Sequence, residues 1–440
     1  MSCPARESSF RLEIAGLPES FVVVAFTGNE NISEPFLFEV ELVTSDTPLD
    51  LAGLLYRSVW LSFGSCGRGI HGQLHEVVQH RHGGNCHVRI EPKLAYLAQR
   101  FSQRVFSGRS VPQIIRQVLS GHGIGGRGLC LDLSGDFATR DVCSQYRESD
   151  LQFLQRICAQ AGIRFHFEHA RDGHCLVFSD APGSVFSADE VIYGGDGQAD
   201  AVHAFSAQAG SEGIGIQAAE GQSDLMHLHS GQTLTLTAHP FKDWNRRWLL
   251  TRVEHRGQSG RYANRFRAIP FGLSFVAEKV PAKPVMVSRQ RGWVVNVDEP
   301  ANQVPGRVAV QFDWVYQGEG ASASHCWLPL APELAACAGD RIREGTEVLV
   351  SFIEGDPDRP LICAFLGPLP LIGTQPAPAS ASLSETPGTP GVDDHLLSAV
   401  RGGEPLFLLC LLPGAGAFNP CARAVCICRL VTQRGAGAAP

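Results

Sequence analysis

Residues Tyr146 to Asp180 read YRESDLQFLQRICAQAGIRFHFEHARDGHCLVFSD, and the hydrophobic period changes halfway along. Ser149 is an N-cap residue with Gln152 three positions on, the spacing of a capping box. Leu151, Leu154, Ile157, Cys158 and Ala161 recur on one helical stripe. Gly162 falls where a helix end needs a residue that accepts positive φ. From Ile163 the period becomes two. Ile163, Phe165 and Phe167 point one way and Arg164, His166 and Glu168 the other, as in a half-buried strand. Ala170 to Gly173 supplies a polar turn, and His174 to Phe178 a return strand. The stretch predicts a capped helix over 149–161 feeding a β-hairpin.

On either side the chain reads as mainly β with a few short helices. FRLEI, FVVVAFTG and FLFEVELV, between Phe10 and Val43, predict three strands broken by Gly16, Pro18, Gly28 and Pro35. Leu51 to Tyr56 reads as a short helix before the strand SVWLSF. IHGQLHEVVQH and CHVRIEPKL predict two strands around a glycine turn at 82–85. Val105 to Ser120 reads as a second capped helix. Ser110 is its N-cap, Gln113 sits at the capping-box position, and Val111, Ile114, Ile115, Val118 and Leu119 form its buried face. QTLTLTAH and RWLLTRVEHRG continue the β pattern as far as Phe271.

A joint, EKVPAKP, leads to a new domain near Pro284. Gly292 to Leu366 holds the segments WVVNVD, GRVAVQFDW, HCWLPLAP, EVLVSFIE and PLICAFL. Five short strands with glycine turns predict a small barrel of the OB type. From Gly367 a Pro/Ala/Ser/Thr-rich stretch cannot bury enough apolar area to order itself. The predicted organisation is therefore a domain of barrel-like units over 1–283, an OB-type barrel over 284–367, a linker over 368–394 and an apolar, cysteine-rich tail over 395–440.

Composition narrows the function. A chain of 440 residues with 44% hydrophobic content is long enough for two or three cores, and 47 Gly with 27 Pro favour β architecture. MSCPARESSF has no apolar core of a secretory signal, and the apolar run Leu406 to Leu412 is far short of the roughly 20 residues of a membrane span. Folding in the cytosol without stable membrane insertion is expected. The net charge is −7, and residues 291–366 carry five arginines, no lysine and eleven acids, a local balance of −6. Such a barrel is a poor partner for phosphates, so nucleic acid is not expected. Of the 14 cysteines, those before residue 370 stand singly, often on apolar faces (Cys158, Cys175, Cys363), and read as buried structural thiols.

No motif carries chemistry, and no catalytic, cofactor or metal residue is assigned. Gly121, Gly123 and Gly126 satisfy G-x-G-x-x-G, but the order helix–motif–strand reverses the dinucleotide arrangement, so a helix-ending loop is expected. His71, His75, His80, His82 and His87 crowd one hairpin, and His227 and His229 alternate as if on a strand face. No carboxylate or cysteine set completes a tetrahedron with them, and they read as solvent-facing strand histidines. Glu354, Asp356 and Asp358 resemble a cation site, yet Pro357 and Pro360 favour a rigid turn, with Arg359 pairing to an acid. Cys421, Cys426 and Cys428, with Cys410 upstream, match no zinc spacing. There is no G-x-S-x-G elbow.

Several blocks, in order, resemble the VgrG family, the hub-and-spike proteins of bacterial type VI secretion systems. They are IHGQLHEVVQHRHGGNCHVRIEPKLAYLA, VFSGRSVPQIIRQVL, the opening stretch from Tyr146, GRVAVQFDW and GTEVLVSFIEGDPDRPLI. The resemblance implies a non-enzymatic homotrimer. Two barrel-like units per chain would give six around the ring, matching a hexameric Hcp-like tube protein. It also implies a PAAR-type tip protein, baseplate proteins, and effector or adaptor proteins as partners. Assembly would be cytoplasmic, followed by delivery through the contractile apparatus. The family usually continues into a repeating β-helix needle, and no such repeat is evident after Gly367. The alternatives are a contractile phage-type tail hub, whose peptidoglycan-cleaving form needs an inserted acid pair, and an OB-fold binding protein.

Overall fold

The computed structural model describes residues 10–366, except 44–50, 64–66, 80–84, 182–188, 195–197, 210–215, 278, 296–306, 314–324 and 336–341. The linker over 368–394, the tail with Cys410, Cys421, Cys426 and Cys428, and His80 and His82 lie outside the described residues.

The first strands make a closed ring. β1 (Arg11–Ile14), β2 (Ser20–Asn31), β3 (Leu37–Val43), β4 (Ser58–Ser62), β5 (Gly69–Gln79) and β6 (Asn85–Glu91) are all antiparallel, with the short helix α1 (Leu51–Leu54) before β4. β1 pairs with β4 on one side and β2 on the other, so the order β1-β4-β5-β6-β3-β2 returns to its start. Alternation puts Phe10, Phe26, Phe38 and Phe63 inside. There Phe26 stacks on Phe63 at 5.1 Å and meets Phe10 edge-on, also at 5.1 Å.

The middle of the chain packs against this ring. It comprises β7 (Phe101–Arg109), α2 (Val111–Ser120), β8 (Leu129–Asp132), β9 (Arg140–Ser149), α3 (Asp150–Gln160), β10 (Arg164–Ala170) and β11 (Gly173–Ser179). β7 and β9 form an antiparallel ribbon, and β8 joins the β10–β11 hairpin in parallel beside β11. The region read as one helix from Val105 is therefore strand as far as Arg109, and the helix starts after its N-cap Ser110.

α3 has the predicted ends. The Ser149 N–H donates to Gln152 Oε1 at 2.9 Å, and the Gln152 N–H donates to Ser149 Oγ at 3.2 Å. Gly162, at φ 69°, lets Ile163 N–H return to the Cys158 carbonyl at 2.9 Å. Its burial is broader than the predicted stripe, because Phe153 is wholly buried and stacks on Phe106 at 5.5 Å. The following strand also departs from expectation. Arg164 and His166 are buried along with Phe165 and Phe167, so β10 is covered on both faces at its start. His166 is covered by the chain at Gly231, where a Cβ would lie 2.3 Å from its ring, and Arg164 donates to the Ala181 carbonyl at 2.5 Å.

A second ring follows. β12 (Asp189–Ile192), β13 (Val202–Ala209), β14 (Ile216–Ser223), β15 (Thr233–Thr237), β16 (Arg247–Gln258) and β17 (Arg261–Pro270) run in the order β13-β14-β17-β16-β15-β12. A bridge between Tyr193 and Val202 closes it, with Gly194 N–H donating to the Val202 carbonyl at 3.1 Å. Trp248, Phe205, Phe266 and Val253 fill this core. The two rings share a seam, because β16 pairs with β2 from Arg252↔Asn31 to Gln258↔Ala25. At the seam Gly257 lies opposite Phe26, and an added Cβ would meet that ring at 2.1 Å. A side chain there would displace the ring, so only glycine lets it lie flat across the strand.

The last described strands are β18 (Gln290–Val294), β19 (Arg307–Phe312), β20 (His325–Pro329), β21 (Glu347–Phe352) and β22 (Pro360–Phe365), with α4 (Pro332–Ala335) after β20. Their order is β20-β19-β18-β21-β22. The parallel bridge Leu330↔Ile362 closes the sheet into the five-stranded OB topology. The first of these strands begins at Gln290, three residues earlier than WVVNVD suggests.

Candidate functional site

The strand that leads into YRESD meets the GDPDRP turn. Ser144 on β9 donates its N–H to Asp358 Oδ1 at 2.6 Å and its hydroxyl to the Pro357 carbonyl at 2.8 Å. Arg156 on α3 donates to the Ser144 carbonyl at 3.0 Å and grips both oxygens of Glu148, at 3.0 and 2.5 Å. Lys283, in the joint before the barrel, reaches Asp356 at 2.5 Å and Asp358 at 2.7 Å. Arg307 of β19 reaches Asp141 at 2.7 Å. Beneath these polar contacts, Val105 and Val142 of the β7–β9 ribbon enter the core of the OB barrel. The acids of GDPDRP thus receive a lysine and a backbone N–H, and the loop is the rigid turn expected. Arg359 N–H donates to the Asp356 carbonyl at 3.0 Å, and its guanidinium reaches Glu354 at 3.4 Å.

Asp150 anchors the hub side of this joint. Its fully buried carboxylate accepts from Arg104 at 2.6 Å, Gln145 at 2.8 Å and His122 at 2.7 Å. Burial alone would raise its pKa, but the His122 hydrogen bond, the Arg104 charge and the Gln145 amide outweigh that and hold it at about 2. A depressed carboxylate stabilises the fold above its unfolded pKa near 3.8, and that stabilisation is lost as pH falls toward about 2. Asp150→Asn is expected to cost about 2 kcal/mol at pH 7, from 1.36 kcal/mol per pKa unit. It should also flatten the acid dependence of the urea midpoint between those two pH values. An unchanged acid limb would contradict this assignment.

The predicted site residues divide. Gly121, Gly123 and Gly126 end α2 and lead into β8, with Gly123 at φ 63° and Gly126 at φ 59°, the helix-ending loop expected. His71, His75 and His87 do lie on β5 and β6 but are half-buried, and are not the solvent-facing residues expected. His75 Nδ1 is 3.1 Å from Glu91 and its ring stacks on Tyr96 at 4.4 Å; burial pushes its pKa down to about 4. His71 Nδ1 lies 3.0 Å from His174 Nδ1. His227 and His229 are on no strand. They occupy the turn between β14 and β15, where His229 Nδ1 is 2.9 Å from the buried carboxylate of Glu30 on β2. No sequence spacing joins positions 30 and 229; the β2–β16 seam does. Of the cysteines singled out, Cys158 is buried with its thiol pKa pushed up by burial, whereas Cys175 and Cys363 are partly exposed.

One broad feature remains on the surface. A shallow groove of about 580 Å³ crosses β3, β2, β16, β17 and β14, lined by Gly28, Glu39, Arg252, Glu254 and Arg265 among others. Several of its charges are paired: Arg252 with Glu254 at 2.7 Å, and Arg265 with the neighbouring Glu220 at 2.7 Å. Mixed, paired charge over strands suits a polypeptide neighbour better than a small anionic substrate.

The comparisons agree with this layout. Residues 29–213 match the phage tail baseplate hub (GPD) family, and residues 290–366 match the type VI secretion system/phage-baseplate injector OB domain. The fold is thus that of a contractile-tail hub joined to an OB barrel. The chain is similar to spike proteins of the VgrG family. It is 31% identical to the type VI secretion system spike protein VgrG4b of Pseudomonas aeruginosa, over 92% of this chain and 62% of that one. It is also 31% identical to VgrG5 of the same organism, over 93% of this chain and 64% of that one. The chain therefore spans a little under two thirds of these relatives' length. An Escherichia coli protein described as a component of the type VI secretion system superposes with a TM-score of 0.66 at 22% identity, covering 81% of this chain and 99% of that one.

Proposed function

We propose that this chain is a structural hub of a type VI secretion tail tip. It would act as a homotrimer that joins an Hcp-like tube to the spike and helps carry effectors into target cells. One observation carries the reading: each chain holds two β-rings, the first wholly antiparallel and the second mixed, fused along β2 and β16. Three chains would present six similar rings, the symmetry needed to seat a hexameric tube. Exposed valines support the trimer. Val276, Val285 and Val287 are 79, 62 and 90% exposed along the segment leading into the OB barrel, and such apolar surface favours a partner chain.

Function in this reading is geometry and assembly rather than catalysis. Partners would be a second and third copy, tube and baseplate proteins, a PAAR-type tip and an effector or adaptor. Assembly would take place in the cytoplasm, before delivery. The division at 283/284 between hub and barrel belongs to the same proposal. Light scattering on the purified full chain tests it. A mass three times the 47.5 kDa chain is expected, and a stable monomer at micromolar concentration would overturn the trimeric hub.

A further inference from the structure

Glu30 is 2% exposed near the end of β2, and a buried carboxylate needs compensating charge. Among the described residues its ion-pair partners are all histidines. His229 Nδ1 lies 2.9 Å and His255 Nε2 3.3 Å from Glu30 Oε1, with His169 Nε2 at 4.0 Å. The seam dictates this gathering. Glu30 pairs with Val253 on β16, and His255, two residues further, projects from the same face. The turn before β15 brings His229 over the top and gives the Ser230 N–H to Glu30 Oε2 at 3.2 Å.

We propose that Glu30, His229 and His255 bind a divalent transition-metal ion, with zinc as the first candidate. The donor set is two imidazole nitrogens and one carboxylate, a combination that zinc and ferrous ions take. The ligand atoms of the three residues all lie within 4.8 Å of one another. With metal–ligand bonds of about 2.0–2.1 Å, the edge of a tetrahedron is roughly 3.3 Å, close to the 2.9 and 3.3 Å found here.

A second observation points to a ligand. His255 Nε2 is wholly buried and makes no hydrogen bond of acceptable geometry, although it faces Glu30. Its other nitrogen lies 2.7 Å from Tyr262 Oη. With the Nδ1–H donating to the phenol, the Nε2 lone pair is left for the metal and Tyr262 becomes the outer-shell partner of this imidazole. His169 has a different part. Its Nδ1 accepts the His71 N–H at 3.3 Å, and its Nε2, 4.0 Å from Glu30 Oε1, makes no hydrogen bond among the described residues. It stands outside the three-residue ligand set. The ion would tie both rings together at their seam, one ligand from β2, one from β16 and one from the turn before β15.

Metal analysis of the full chain, dialysed against zinc chloride and then against metal-free buffer, tests the site. One retained zinc per chain is expected, and Glu30→Gln or His255→Ala should abolish it while circular dichroism stays native. Tyr262→Phe, a milder change, should weaken zinc binding roughly tenfold. Cobalt chloride separates this site from the cysteine-rich tail. Cobalt at Glu30 should give visible d–d bands without the near-ultraviolet charge-transfer band of thiolate ligation. No stoichiometric zinc in the wild-type chain, or zinc retained unchanged in both ligand variants, would overturn the proposal. So would a cobalt spectrum dominated by thiolate bands.

Discussion

Arg156→Met is expected to destabilise the protein by roughly 3–5 kcal/mol. Arg156 is 1% exposed, yet its guanidinium donates to both Glu148 oxygens and to the Ser144 carbonyl, and it lies 5.3 Å from the centroid of the Phe153 ring. Methionine fills much of the volume but leaves the Glu148 carboxylate, 5% exposed, without its ion-pair partner among the described residues. The cost is therefore that of an uncompensated buried charge, which exceeds the net value of the pair itself. Removing both charges in Arg156→Met/Glu148→Leu should recover most of the loss. Urea denaturation of the three chains is the measurement. A single variant within about 1 kcal/mol of the wild type would show that water or a neighbour rescues Glu148. Because Ser144 also holds the GDPDRP turn, the single variant should loosen the OB barrel as well.

Phe26→Ala should cost a similar amount, about 3–5 kcal/mol, by cavity formation. Phe26 sits inside the first ring against Phe10 and Phe63, and its ring covers Gly257 on the shared seam. Gly257→Ala approaches the same contact from the other strand, since the new Cβ would fall 2.1 Å from the ring. Either change alone is destabilising, one by a void and the other by overpacking. Together they should be less than additive, because the missing ring makes room for the methyl group. Calorimetric melting of the two single variants and the double variant checks this. Strict additivity would mean that the ring and the glycine do not share the packing described.

The parts of the fold set by neighbours in sequence were legible. Ser149 with Gln152, Gly162 after α3, and the five strands of the OB barrel follow from local capping, turn chemistry and alternation. What escaped depends on chain that arrives from far away. Arg164 and His166 alternate with phenylalanines and read as outward-facing, until the chain at Ala181 meets the first and the segment at Gly231 covers the second. His227 and His229 mimic a strand because a turn can also space polar residues by two. Residues 101–109 lack a clean alternation, and their pairing to β9 is set by the partner strand. The joint was half visible. GDPDRP announces a turn, but nothing in it says that Asp358 meets Ser144. Glu30 gave no signal at all, since a single glutamate in an apolar strand has no partner within reach along the sequence.

Val105 and Val142 have a consequence for how such chains can be recombined. They belong to the β7–β9 ribbon but complete the core of the OB barrel. An exchange of barrels between related chains at the joint before β18 would leave the incoming barrel resting on two foreign side chains. Compatible exchanges must therefore preserve the size and shape of positions 105 and 142, or carry the ribbon along with the barrel. The unit that inheritance can shuffle is thus larger than the barrel that the eye picks out.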